Sequence, residues 1–211
     1  MTDLPVPDAM DAVYGGERCR LVLRDGRERP VDTPLWSGEP TDTDERLFVD
    51  PCRGATLDVG CGPGRLTGAL ARRGVAALGT DISRTAVRQA RARGARALHR
   101  DVFDELPRPQ GWRHVLLADG NIGIGGRPVE LLRRVRQLLH PGGTALVELS
   151  PTATYRVHEG VRLRVGDRVS DPFAWATVGP HDIGRVAASA GLHVAAVEHA
   201  GGRVAATLSV A

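Results

Sequence analysis

The chain is poor in several residue types, and each shortage narrows what it can be. Among its 211 residues there is no lysine; all 28 basic side chains are arginine, a bias that a GC-rich genome produces unaided. With 25 acidic residues the net charge is +3. So mild an excess does not imply nucleic acid, and no extended basic tail or nucleic-acid-binding module is present. The three cysteines, Cys19, Cys52 and Cys61, form no C-x-x-C pair and no metal-ligand spacing, and an odd number suits no disulfide framework. No apolar run approaches the ~18 residues of a membrane span, and no secretory h-region opens the chain. The expectation is a reduced, cytoplasmic protein with a small-molecule substrate, no metal, no nucleic-acid partner and no membrane partner. It is expected as a monomer or homodimer. The length suits one domain, 1–211.

Glycine, by contrast, is placed with purpose. Residues 57–66 read Leu-Asp-Val-Gly-Cys-Gly-Pro-Gly-Arg-Leu. A short apolar strand (55–59) runs into Gly60, Gly62 and Gly64, and a helical pattern follows over 65–73. Glycines there allow tight turning and close approach of a ligand, and the helix N-terminus behind them offers free N–H groups. This predicts a small-molecule pocket at the carboxyl end of the first core strand. The spacing is G-x-G-x-G, with Pro63 inside it, and departs from the dinucleotide fingerprint. Asp58, just ahead of it, repels phosphate and suits an ammonium or sulfonium group. Asp81 closes a second strand (75–80), where a carboxylate can accept both hydroxyls of a ribose. Asp101 follows a third short run (95–99).

The ordered set LDVGCGPGRL, LGTDIS, RDVF and LLHPGG resembles class I S-adenosylmethionine-dependent methyltransferases over roughly residues 55–150. The resemblance implies a Rossmann-like, doubly wound α/β fold. Its seven-stranded sheet would have order 3-2-1-4-5-7-6, the last strand antiparallel. It implies S-adenosyl-L-methionine as cofactor and S-adenosyl-L-homocysteine as product. The loop of Gly60, Cys61, Gly62 and Gly64, with Asp58, would face the methionine part. Asp81, followed by Ile82, would hold the ribose. Asp101 and Val102 would flank the adenine, and Asp119 and Asn121 would lie near the methionine end. Ser83 offers a cap for the helix beginning near Arg84, which leaves Asp81 free for a ligand. Cys61 reads as a small side chain beside the site and not as a nucleophile.

Further strands are expected at 113–118 and 144–149 and helices at 84–93 and 128–139, with Pro141-Gly142-Gly143 turning into the fifth strand. A helix at about 180–190 precedes a terminal hairpin of 192–198 and 204–210. Two segments lie outside this cofactor-binding core of 55–150. Residues 1–54 suggest a short helix (7–14), a hairpin turning at Asp25-Gly26 and a short helix near 43–50. Residues 151–179 suggest two antiparallel strands turning at Gly166-Asp167. Six of the eight aromatics fall in these segments, among them Tyr14, Trp36, Tyr155, Phe173 and Trp175. In the family such additions cover the transferred methyl. They are therefore expected to form a lid, with Tyr14, Trp36, Phe173 and Trp175 lining the acceptor pocket.

Methyl transfer needs alignment, dehydration and, for acceptors of high pKa, a base. His158 is the first candidate and Tyr155 the second, with His181 and Glu148 behind them. Asn121 is followed by Ile122-Gly123, which does not match the Pro-Pro-aromatic motif of nucleic-acid amino methyltransferases. Asp119-Gly120-Asn121 matches a metal-dependent catechol-type site only in part. The arginines 156, 162, 164 and 168 suggest either an anion site or a charged edge strand. Methylation at O, N or C is left open. So are two alternatives: an enzyme that uses the cofactor for another reaction, and a binding protein that keeps the fold.

Overall fold

A computed structural model describes residues 3–31 and 36–210; part of the Pro- and Thr-rich stretch after the hairpin, 32–35, lies outside the described residues. Helix α1 (Val6–Tyr14) leads into a hairpin of β1 (Cys19–Val22) and β2 (Glu28–Pro30). A capping box between Thr41 and Asp44 starts a helical segment, Asp42–Asp44, which continues as a π-helical turn, Glu45–Val49. The alternating part follows: β3 (Thr56–Val59), α2 (Arg65–Arg72), β4 (Ala77–Asp81), α3 (Arg84–Ala92), β5 (Ala97–His99), β6 (Trp112–Leu117), α4 (Pro128–Leu138) and β7 (Leu139–Leu149). Then come β8 (Arg156–Val165), β9 (Arg168–Val169), β10 (Phe173–Thr177), α5 (Ile183–Ser189), β11 (Leu192–Ala200) and β12 (Arg203–Val210).

Seven strands form the main sheet in the order β11-β12-β7-β6-β3-β4-β5. The five strands from β7 to β5 are parallel, and β12 is antiparallel to both its neighbours. This is the expected doubly wound order. Both faces are covered, so consecutive residues of the central strands are buried on opposite sides. Val115 and Leu117 pack toward α4 and α5, whereas Leu116 joins Phe48, Leu66 and Leu70 on the other face. Among the described residues no helix is long and apolar enough to cross a membrane.

Two local expectations change. Pro141, Gly142 and Gly143 make no separate turn: β7 starts at Leu139, and a bulge takes them up, since Trp112 pairs with Leu139 and His114 with Thr144. A Cβ on Gly143 would lie 2.9 Å from two carbonyl oxygens of β6, at Trp112 and Arg113, so the strand needs glycine there to stay this close. The segment after β7 contributes three strands, not two, and they do not stand alone. β8 pairs antiparallel with β1 (Cys19 with Val165, Leu21 with Leu163), giving a second sheet of order β10-β8-β1-β2 with β9 beside β8. Ala9 and Val13 of α1 pack on this sheet with Cys19, Leu163 and Val165. The first and the last added segments thus fold together over the carboxyl edge of the main sheet.

Candidate active site

The carboxyl ends of β3, β4, β5 and β6 meet the underside of α1 and the second sheet around a cavity of about 710 Å³, within the range of small-molecule sites. The glycine loop forms its floor. Gly60 and Gly62 have φ of +67° and +53°, where a side chain is strained. Gly60 and Cys61 donate their N–H groups to the Thr80 carbonyl at the end of β4, at 2.8 and 3.1 Å. Asn121 Nδ2 donates to the carbonyls of Val59 (2.8 Å) and Gly60 (3.0 Å). A Cβ on Gly60 would stand 2.6 Å from that nitrogen. Asn121 therefore lines the cavity and also clamps the loop.

Gly64 is different. It lies outside the cavity lining, against the expectation that it would face the ligand. Its φ of +84° starts α2, and a Cβ would meet Ala90 of α3 at 2.8 Å. Its task is close helix packing.

Four acids lie along the cavity. Asp58, at 2 % exposure, accepts from Thr67 Oγ1 at 2.6 Å. Burial lifts its pKa to about 6, against the opposing pull of that hydrogen bond. Asp81 ends β4; its Oδ2 accepts from the Gly62 N–H (2.9 Å) and its Oδ1 from the Ser83 N–H (2.8 Å). It is thus engaged by the backbone rather than free, yet each oxygen keeps a second lone pair. Burial raises its pKa and the two N–H donors partly offset this. Ile82 and Val102 line the cavity beside it. Asp101 is exposed at the rim, its Oδ1 accepting from the Phe103 N–H at 2.9 Å. Cys61 lines the cavity with its thiol well above the ordinary pKa through burial, reinforced by Asp58 and Asp81; it stays protonated.

Asp119, with a φ of +52°, belongs to a charge network that sequence reasoning missed. Arg65 bridges Asp119 and Asp44, and Arg203 reaches Asp44, Asp119 and Glu148. Burial opposes ionisation of Asp44, but hydrogen bonds, first from Arg65, hold its pKa at about 2. The five residues come from five places in the chain, and no spacing links them. Among them Arg65 reaches the cavity wall, and its buried Nε has no hydrogen-bond partner among the described residues. Glu148 accepts two hydrogen bonds from Arg203, each of 2.7 Å, and a third from the Asp119 N–H. Glu148 also lies off the cavity wall, which removes it as a candidate base.

Residues 56–143, from β3 into β7, match the family model of the methyltransferase domain. Over that stretch, less than half of its length, the chain is similar to methyltransferase domains. No curated protein matches it by sequence. Among solved structures, a SAM-dependent methyltransferase from Bacteroides fragilis in complex with S-adenosyl-L-homocysteine is 24% identical, with a TM-score of 0.80 over 98% of this chain and 94% of that one. The CcbJ methyltransferase from Streptomyces caelestis is 18% identical, with a TM-score of 0.63 over 83% of this chain and 92% of its own. The 1,6-didemethyltoxoflavin-N1-methyltransferase of Burkholderia thailandensis is 15% identical, with a TM-score of 0.62 over 100% and 93%. These likenesses establish the fold.

Above the glycine loop, Tyr14, Trp36, Phe173 and Trp175 all line the cavity. Val6, Met10 and Tyr14 sit four residues apart and present one helix face to it. The Tyr14 and Trp36 rings are 6.2 Å apart at 54°. Burial, with Asp81, Cys61 and Asp119 nearby, raises the Tyr14 phenol well above its ordinary pKa, so it remains a neutral hydroxyl. Next to α1's cavity face, Asp11 Oδ1 accepts from Ser83 Oγ (2.6 Å) and the Thr85 N–H (2.7 Å), which fastens α1 to the start of α3.

The two catalytic candidates lie elsewhere. His158 and Tyr155 are absent from the cavity wall, where β8 contributes Leu163. His158 is five residues back along that strand, roughly 15 Å at the usual rise, opposite Trp175. Burial and the positive Arg156 and Arg29 lower its pKa. Tyr155 packs against the main core under the guanidinium of Arg185, 5.5 Å from the ring centre. His181 is exposed and also lies off the wall. Three of the four clustered arginines are paired: Arg162 with Asp3, Arg164 with Glu28 and Arg168 with Glu17. The expected charged edge does not apply to β8, which lies between β10 and β1, and each of the three arginines is matched by a carboxylate. Among the described residues no group of three ligands is placed to hold a metal.

Proposed function

We propose that this protein is an S-adenosylmethionine-dependent methyltransferase for a small, partly apolar acceptor bound between the acid–glycine edge and the aromatic roof. The observation that carries the reading is one cavity walled by both, the motif residues below and Tyr14, Trp36, Phe173 and Trp175 above.

The residues suit the cofactor. A Cβ on Gly62 would reach 3.2 Å from the Tyr14 hydroxyl, so glycine keeps a narrow cradle open there. Asp81 offers its remaining lone pairs to hydroxyl donors, and Asp101 and Val102 border the outer end. Asp58 and Asp119 make the inner end favourable to a cation. Arg65 Nε is a buried donor that lacks an acceptor among the described residues. When bound, the cofactor supplies an activated methyl on a sulfonium.

The chain contributes alignment and dryness. α1 and the second sheet roof the edge and exclude water. Met10, Leu21, Val31 and Leu163, with the aromatics, hold an apolar acceptor at the floor. The Tyr14 hydroxyl supplies a neutral donor there. Residues 1–54 and 151–179 thus act as a substrate cap on a single methyltransferase domain.

Calorimetry with S-adenosylmethionine and S-adenosylhomocysteine tests the reading, followed by transfer of labelled methyl into a panel of aromatic and heterocyclic metabolites. Binding at micromolar levels and labelled product are expected; no binding of either cofactor form refutes it.

A further inference from the structure

We propose that Arg29 reads an anionic group on the acceptor, so that the substrate is a flat apolar molecule bearing a carboxylate-type oxyanion. This rests on the methyltransferase reading above.

The argument starts from strand register. Leu21 pairs with Arg29 on one side and with Leu163 on the other. The three form one row across β2, β1 and β8, and all three line the cavity. The row is apolar until its end, where a guanidinium stands at the cavity mouth. On the roof side, Arg29 is the one charged residue of the lining among the described residues; the others there are aliphatic or aromatic. It has no ion-pair partner among them, although its strand neighbour Glu28 is bonded by both Arg20 and Arg164. The acids of the floor are already engaged, Asp81 by backbone N–H groups and Asp119 by Arg65 and Arg203.

Charge at the mouth selects a class of ligand. A cationic acceptor would be repelled by the guanidinium there. A neutral one would gain nothing from the guanidinium. A carboxylate can take two parallel N–H donors from it, while Trp36, Phe173 and Trp175 offer faces for a planar body. An inward charge on an edge strand can also serve merely to prevent edge pairing; that role would make Arg29 indifferent to what the cavity holds.

The test uses the full chain loaded with S-adenosylhomocysteine and two probes of equal shape, indole-3-acetate and indole-3-acetamide, in calorimetric titrations. The wild type should bind the acetate more tightly by about tenfold. Arg29→Gln should reduce that preference to within about twofold, with affinity for the amide unchanged. Arg29→Lys should fall between, since the charge stays and the fork is lost. Arg100→Gln, at the opposite rim, should keep the preference. Equal binding of both probes by the wild type, a preference that survives Arg29→Gln, or binding of neither probe overturns the inference. The prior titration with S-adenosylhomocysteine separates the two failures: a protein that takes the cofactor product but shows no charge preference removes this inference alone.

Discussion

Asp58 is where the site's chemistry works against the fold. The carboxyl is 2 % exposed and receives one hydrogen bond, from Thr67. Its pKa rises from 3.8 to about 6, first through burial and then through the Asp119 charge. A carboxyl whose folded pKa exceeds its unfolded one binds protons more tightly in the native state. Its ionisation therefore costs stability as pH rises from about 4 to about 6, and the penalty stays constant above that. Two units correspond to about 3 kcal/mol. Asp58→Asn is isosteric and keeps an acceptor for Thr67 while removing the charge. It should stabilise the unliganded protein by up to about 3 kcal/mol at pH 8, a Tm gain of about 6–12 °C for a chain of this size. At pH 4 the gain should vanish. The same variant should lose affinity for S-adenosylmethionine, because the acid that favours a cation is gone. Thermal melts at both pH values and one titration suffice. A variant that melts at or below wild type at pH 8, or that gains equally at pH 4, would refute the reasoning.

Gly60→Ala should abolish measurable cofactor binding while leaving far-UV circular dichroism unchanged. The added Cβ lies 2.6 Å from Asn121 Nδ2 at a φ of +67°, forcing a strained conformation of about 1–2 kcal/mol and the loss of the Asn121 clamp. Asp11→Ala should cost about 1–2 kcal/mol in urea unfolding and speed cofactor release in stopped-flow, since α1 loses its fastening to Ser83 and Thr85; Asp11→Asn, which keeps an acceptor, should cost less. Arg203→Met leaves Asp44, Asp119 and Glu148 with one fewer cation and should cost about 3–5 kcal/mol. Adding Asp44→Asn should recover part of that loss in a double-mutant cycle.

The core was legible because its signals are local. Thr56–Val59, Ala77–Asp81 and Trp112–Leu117 are short apolar runs bounded by glycine or acid, and the loop glycines between them mark where backbone must turn. Errors arose where one residue's role depended on a distant partner. Gly64 looked like a cradle residue and packs on Ala90 instead. Pro141-Gly142-Gly143 looked like a turn, but the carbonyls of β6 demand glycine in a bulged strand. His158 was chosen from alternation along β8, which places a side chain on a face but does not say how far along the strand the cavity extends.

Sequence alone determined the acid–glycine edge, since a strand, a glycine loop and acids at successive strand ends are fixed by neighbours within a few residues. Tertiary structure alone decided the roof. Pairing β1 with β8 joins Cys19 to Val165 and Leu21 to Leu163 across most of the chain, and nothing in either segment's pattern names its partner. The same closure brings Asp44, Arg65, Asp119, Glu148 and Arg203 into one buried network and turns Arg29 toward the cavity. Ion pairs and cross-strand rows are set by proximity in space, which no pattern along the chain encodes.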